Sequence, residues 1–238
     1  CWSKFVVVLT MLAMLALALG GCGGSKEEKK PEAGVAGPKG KVMIYTSIYP
    51  DIIEKIKPEL KKAFPNVEVE WFQAGTEKVM AKVAGEIEAN KVQADLLMVA
   101  DPSYYLYLED KGLLMPYDAP NRKDVKINKD KDGYWTAVRI SNMIIAYNTA
   151  KVKPEDAPKS FKDLTDPKWQ GKIAMPGPSL SGTAYVAAAA LSDKYGWEYY
   201  EQLKANGLKV EDGNSAIQNK LLTGEYLAVM ILEENILK

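Results

Sequence analysis

The 238-residue sequence predicts an α/β protein in which a mostly parallel sheet is flanked by helices, and two observations carry that prediction. From Val42 to Gly112, short apolar runs of strand character alternate with longer stretches whose apolar residues recur at helical spacing. Such alternation places helices on the faces of a parallel sheet. With the N-terminal segment set aside, about two hundred residues remain, enough for two small lobes or one larger domain.

Residues 42–45 (VMIY) form the first strand, followed by the polar turn Thr46-Ser47. Residues 51–64 carry Ile52, Ile53, Ile56, Leu60 and Phe64 at helical spacing, with a kink or a fresh start expected at Pro58. Residues 67–72 alternate as a strand. Gly75-Thr76 then opens a helix over 77–90, with Val79, Met80, Val83 and Ile87 on one face. Residues 95–99 are the third strand, and a helix over 103–110 closes at Gly112. Residues 117–132 are polar and rich in Pro, Lys and Asp, which predicts a surface loop. A strand over 143–147, a helix over 197–205 and a helix over 215–223 follow. Asn214 or Ser215 is the expected cap of that last helix and Gly224 its end. The strand 226–232 runs directly into Glu233-Glu234-Asn235.

The most informative stretch is residues 158–183, PKSFKDLTDPKWQGKIAMPGPSLSGT. Ser160 is an N-cap candidate with Asp163 three residues on, and the short helix can run only to Asp166 because Pro167 follows. Residues 168–171 are a turn and 172–175 a short apolar strand. Ser181-Gly182-Thr183 opens the apolar helical run 184–191. A small polar triplet at a helix start leaves backbone N–H groups free to hold an anion. Ligands of parallel sheets sit beyond the carboxyl ends of the strands. That rule selects Thr46-Ser47, Gly75-Thr76, Ala100-Asp101 and Ser181-Gly182-Thr183.

Composition narrows the chemistry. The formal charge is zero and the basic residues are scattered, which argues against a nucleic-acid surface. No histidine occurs anywhere, so the commonest general base and metal ligand is missing. The folded part has no thiol, which leaves only oxygen donors for a metal. Carboxylate or lysine catalysis stays formally open. No nucleophile elbow, P-loop or dinucleotide motif stands where a strand meets a helix. Binding without catalysis, cofactor or resident metal is the expectation.

Residues 5–19 are largely apolar and follow Lys4, the pattern of a secretory signal peptide. They are too few for a comfortable transmembrane helix. The run ends Leu19-Gly20-Gly21-Cys22, which resembles the lipobox of bacterial lipoproteins and implies lipidation of Cys22. Residues 23–40 are rich in Gly, Pro, Lys and Glu and read as a flexible tether.

The 158–183 block closely resembles the corresponding pattern of bacterial extracellular solute-binding proteins of ABC importers. The subgroup is that of ferric-ion, thiamine, phosphonate and sugar-phosphate receptors with the class II periplasmic-binding-protein fold. The resemblance runs from about Lys41 to the end of the chain. It includes KVMIYTS, ADLLMVAD, GYWTAV, IIAYNT and GNSAIQNKLLTGEY in that order. It implies two α/β lobes, the first over 41–138 and the second over 139–238, behind a signal peptide over 1–21 and a tether over 22–40. In that family the chain returns to the first lobe, so an incomplete first lobe, and a piece less stable than a longer parent, are expected here.

The resemblance also gives meaning to single residues. It implies that the helix start at Ser181, Gly182 and Thr183 holds an anionic group. Thr46, Ser47, Tyr49, Thr76 and Asp101 follow strand ends facing the same crevice, and Asn214 stands at another helix start. Trp135 is a candidate aromatic wall. Arg139, one of only two arginines, is equally a candidate clamp for carboxylate or phosphate and a candidate partner in an ordinary surface salt bridge. In ferric-binding relatives a tyrosine pair follows the strand that here leads into Glu233, Glu234 and Asn235. Glu234-Asn235 occupies the pair position, which disfavours iron and fits a ligand bearing hydroxyls or an amine.

These readings converge on a monomeric, lipid-anchored extracytoplasmic receptor that delivers a small anionic organic solute to an ABC permease. The expected solute is of phosphorylated, phosphonate or carboxylate type. A ferric-ion receptor and a polyamine or thiamine receptor are the alternatives.

Overall fold

The computed structural model describes residues 37–237. The expected signal peptide, Cys22 and most of the expected tether lie outside the described residues. Strand β1 (Gly40–Thr46) forms the middle of a parallel three-stranded sheet, between β2 (Val67–Gln73) and β3 (Leu96–Met98). Its central place explains why Ile44, Tyr45 and Thr46 are buried, with Ile44 opposite both Trp71 and Leu96. β2 lies at one edge, and its sequence VEVEWFQ alternates accordingly. Helices α1 (Pro50–Ala63), α2 (Thr76–Glu88) and α3 (Pro102–Asp110) connect and follow these strands. Val79 and Val83 of α2 close a core with Tyr45, Tyr104 and Leu108.

The second sheet has the order β4-β7-β5-β6, with β4 at Met143–Tyr147, β5 at Ile173–Pro176, β6 at Lys209–Glu211 and β7 at Ala228–Leu232. β4 runs antiparallel to β7, and the other pairings are parallel. All five residues of β7 are buried. Ala228 and Met230 face one core with Ile173, Met175, Trp169 and Leu203. Val229 and Ile231 face the other, with Ala174, Ile217 and Leu221. This period-two division across two cores is what an unbroken apolar strand means. Each of the larger β7 side chains contributes roughly 1.5–3 kcal/mol through burial. Helices α4 (Gly182–Tyr195), α5 (Glu198–Ala205), α6 (Asn214–Thr223) and α7 (Glu233–Ile236) complete this half.

Several local expectations are corrected. Helix α1 passes through Pro58 as one 14-residue helix and does not restart there. Pro58 is exposed, so the unpaired carbonyl one turn earlier can be met by water. The segments Phe161–Thr165 and Pro167–Trp169 are single 3-10 turns. Ser160 and Asp163 do form the reciprocal cap, the Ser160 hydroxyl donating to Asp163 at 2.7 Å. Asn214 does not cap α6. Gly213 stands at that position, and the Asn214 side chain instead accepts the Leu232 N–H at 3.0 Å. The last strand begins at Ala228, because Tyr226 turns into the core and its hydroxyl donates to Glu211. β6 has no counterpart in the sequence pattern: three residues carry no readable period, and pairing with β5 alone defines them.

Candidate functional site

The two halves meet where their helices begin. Gly182, the first residue of α4, lies so close to Thr76, the first residue of α2, that a Cβ on Gly182 would stand 2.6 Å from Thr76 Cγ2 and 2.7 Å from its Oγ1. A Cβ on Gly75 would stand 2.8 Å from the Leu180 carbonyl oxygen. The N-termini of two long helices therefore abut. The Ser181 hydroxyl accepts the Ala184 N–H at 3.4 Å and shares a 3.0 Å hydrogen bond with Thr183 Oγ1. Among the described residues, the Gly182 and Thr183 N–H groups take no acceptor. Two facing helix N-termini concentrate partial positive charge between them, the electrostatic setting in which an anion binds.

A second polar cluster bridges the halves beside the end of β7. Tyr49 donates its hydroxyl to Asn235 Oδ1 at 3.2 Å, across 186 residues of chain. Asn235 is 1% exposed, and its amide nitrogen donates to Gln218 at 3.3 Å. Burial, and then the negative charge of Glu234, push the Tyr49 phenol up from its ordinary range. Arg139 grips Glu234, with Nη1 2.9 Å from one carboxylate oxygen and Nη2 3.5 Å from the other. Glu233 accepts from Asn142 at 2.9 Å. The guanidinium read as either an anion clamp or a salt-bridge partner is thus paired with Glu234 in this arrangement.

Between β3 and α4 runs a groove of about 920 Å³. Ser47, Trp135, Arg139 and Thr183 all line it, together with Tyr105 and the α4 residue Ala187. Trp135 stacks on Tyr105 with ring centroids 6.2 Å apart, and its Nε1 is buried with no acceptor among the described residues. The Tyr105 hydroxyl binds the Val99 backbone, and burial pushes its phenol up to about 12. β3 pairs only with β1 among the described residues, so its outer edge faces this groove.

The predicted residues fall into four groups. Ser47, Trp135, Arg139 and Thr183 share the groove, while Ser181 and Gly182 stand at the abutting helix start. Tyr49, Asn235, Glu233 and Glu234 belong to the polar cluster with Arg139, and Asn214 adjoins it. Thr46, Thr76 and Asp101 serve the fold from within. Thr46 is wholly buried, donating to the Met98 carbonyl at 3.0 Å and accepting from Ile48 N–H at 3.0 Å. Thr76 accepts from Ala100 N–H at 3.4 Å, and Asp101 caps α3 through Ser103 N–H at 2.9 Å.

Sequence reasoning passed over Glu77, Tyr105 and Asn142. Glu77 has a carboxylate oxygen buried without a partner among the described residues. Burial, and then the charge of Asp101, raise its carboxyl above the usual range. Only its position one residue after a predicted helix opening could have drawn notice.

The model of the family described as bacterial extracellular solute-binding protein matches residues 92–232, and the chain belongs to that family. A probable ABC transporter periplasmic-binding protein of Sinorhizobium fredii is 27% identical over 142 residues, 55% of this chain and 39% of that one. The Fe(3+)-binding periplasmic protein of Serratia marcescens is 24% identical over 58% of this chain and 41% of its own length. The chain spans about half or less of the length of these curated relatives.

Among solved structures, the periplasmic binding protein AfuA of Actinobacillus pleuropneumoniae, with fructose-6-phosphate bound, is 26% identical at a TM-score of 0.73. That match covers 83% of this chain and 65% of AfuA. Iron-bound HitA of Pseudomonas aeruginosa superimposes at a TM-score of 0.70 with 21% identity, covering 82% of this chain and 63% of that one. The likeness to HitA speaks for the fold alone. The architecture is that of the periplasmic binding proteins: parallel sheets flanked by helices.

Proposed function

We propose that this protein is the extracytoplasmic receptor of an ABC importer and binds a small anionic organic solute, phosphorylated, phosphonate or carboxylate in type, between two lobes. The lobes are residues 41–138 and 139–238, working as a monomer tethered to the membrane by lipid on Cys22. The observation that carries this reading is the head-on meeting of the α2 and α4 N-termini, with uncapped N–H groups at Gly182 and Thr183. An anion beside this junction meets donors from both halves only when the halves are together, so its binding favours the closed state. Whichever of the Ser181 and Thr183 hydroxyls accepts their shared hydrogen bond adds a neutral donor. The acidic and amide groups of Glu233, Glu234 and Asn235 suit the hydroxyl-bearing end of the same solute. The fructose-6-phosphate seen in AfuA has this two-ended chemistry.

A ferric-ion receptor is the second reading, favoured by the Fe(3+)-binding Serratia relative. Its ligands here would be the carboxylates of Glu233 and Glu234 and the phenol of Tyr49, all hard oxygen donors. Glu234-Asn235 in place of a tyrosine pair weighs against it. A thermal-shift screen of ferric citrate, phosphate, sugar phosphates, phosphonates, thiamine and spermidine separates the readings, since a ligand of the native state raises its melting temperature. A shift with a phosphorylated or phosphonate compound is expected. A shift with iron alone, or with spermidine or thiamine alone, overturns the anion reading.

A further inference from the structure

The two halves are built on separate sheets, and no strand pairing joins those sheets among the described residues. Beside the end of β7, a phenol of the first half reaches into the second. Tyr49 stands just ahead of α1, where its carbonyl accepts the N–H groups of Ile52 at 3.0 Å and Ile53 at 3.1 Å. Ile53 is 4% exposed, so the backbone that carries the phenol is fixed to the first half.

The second half meets this phenol with two amides. Asn214 and Asn235 are 5% and 1% exposed. Both are held by neighbours in their own half. Asn214 Oδ1 accepts the Leu232 N–H at 3.0 Å. Asn235 exchanges hydrogen bonds with Gln218, its Nδ2 donating at 3.3 Å and its backbone carbonyl accepting from Gln218 Nε2. These bonds leave an acceptor on Asn235 Oδ1 and a donor on Asn214 Nδ2, and a phenol hydroxyl supplies the complement of each. Tyr49 donates to Asn235 Oδ1 at 3.2 Å and is also hydrogen-bonded by the Asn214 side chain. Burial raises the phenol above its ordinary range, so the donor persists at neutral pH. Moving the halves apart must break both bonds, because the phenol and the amides are fixed on opposite sides.

We propose, resting on the two-lobe reading above, that Tyr49 is a latch whose phenol, seated on Asn214 and Asn235, biases the receptor toward its closed state. Every group in the latch belongs to the chain, so it acts before any solute arrives. A larger closed population raises the apparent affinity for a solute that binds the closed state. Asn235 Oδ1 has a second lone pair, so the phenol and a solute hydroxyl do not exclude one another.

The test is the distribution of distances between two spin labels on the full chain, measured with no solute added. One label sits at Lys62 of α1 and the other at Gln202 of α5, both exposed. Tyr49→Phe keeps the ring and removes the hydroxyl. Its open-to-closed ratio should rise roughly two- to tenfold, the effect of about one net hydrogen bond. Asn235→Ala removes the acceptor from the other side, should open the protein similarly, and serves if the Tyr49 variant does not fold. The double variant should open no further than Asn235→Ala alone, because the same bond is lost. Gly182→Ala, which wedges the α2–α4 junction, is the reference for opening. A distribution that opens in Gly182→Ala but keeps its wild-type form in Tyr49→Phe and Asn235→Ala overturns the latch and leaves the two-lobe reading standing. One unmoved by all three variants overturns both. Additive opening in the double variant also overturns the latch, since the two side chains would then act separately.

Discussion

Placing a methyl group on Gly182 probes the meeting of the two helix N-termini directly. The Gly182→Ala Cβ would stand 2.6 Å from Thr76 Cγ2, 2.7 Å from its Oγ1 and 2.8 Å from its Cβ. Carbon atoms pack at about 3.5–4.0 Å, so the two halves would have to separate by about 1 Å. All three atoms belong to a side chain that is 2% exposed and hydrogen-bonded to the Ala100 N–H, so rotation offers little escape. Overpacking of this kind costs about 1–3 kcal/mol, or roughly 2–10 °C in melting temperature for a chain of this size. Calorimetry on Gly182→Ala, Thr76→Gly and the double variant forms a double-mutant cycle. The double variant should recover most of the loss caused by the alanine, a coupling of about 1–2 kcal/mol. Additive effects, or a Gly182→Ala protein that melts like the wild type, would refute the head-on contact and with it the two-sided anion site.

Two further predictions concern single carboxylates. The Ser160 hydroxyl, and then the Lys159 N–H, hold the Asp163 carboxyl below its usual range. Its stabilisation is therefore present above the unfolded-state pKa and is lost as pH falls through the lowered folded value. Asp163→Ala should cost about 1 kcal/mol at neutral pH, and urea unfolding in strong acid should show the two proteins converging. Glu77 has the opposite sign, because burial and the neighbouring Asp101 raise its carboxyl. The folded state disfavours its ionised form, so the penalty grows as pH rises from the unfolded-state pKa to the raised folded value. Glu77→Gln should accordingly melt higher than the wild type at neutral pH, with the gap closing below the ordinary carboxylate range. A constant gap across pH would show that packing, not charge, is responsible.

Local sequence determined what local physics controls. The start of α4 follows from Ser181-Gly182-Thr183, and the end of α6 from Gly224 in the left-handed conformation. The cap at Ser160 needs only Asp163 three residues away, and β7 declares itself as five consecutive apolar residues. Each rests on interactions within about four residues, or on burial that a strand needs wherever it lies. Candidate ligand groups at strand ends were legible for the same reason, since a turn after a strand is a local event.

Only the tertiary structure decided which of those groups are committed elsewhere. Nothing near Thr46 announces that its hydroxyl is used by Met98 and Ile48. Asn214 looks like a cap until Leu232 is brought to it from 18 residues away. Tyr49 meets Asn235 and Arg139 meets Glu234, because strand order and crossovers set the path of the chain. The sequence thus determined the family, the longer elements and the places where polar groups gather, while β6 waited for its pairing with β5. The fold alone decided which of them face one another, because contacts between distant segments depend on packing that no local pattern encodes.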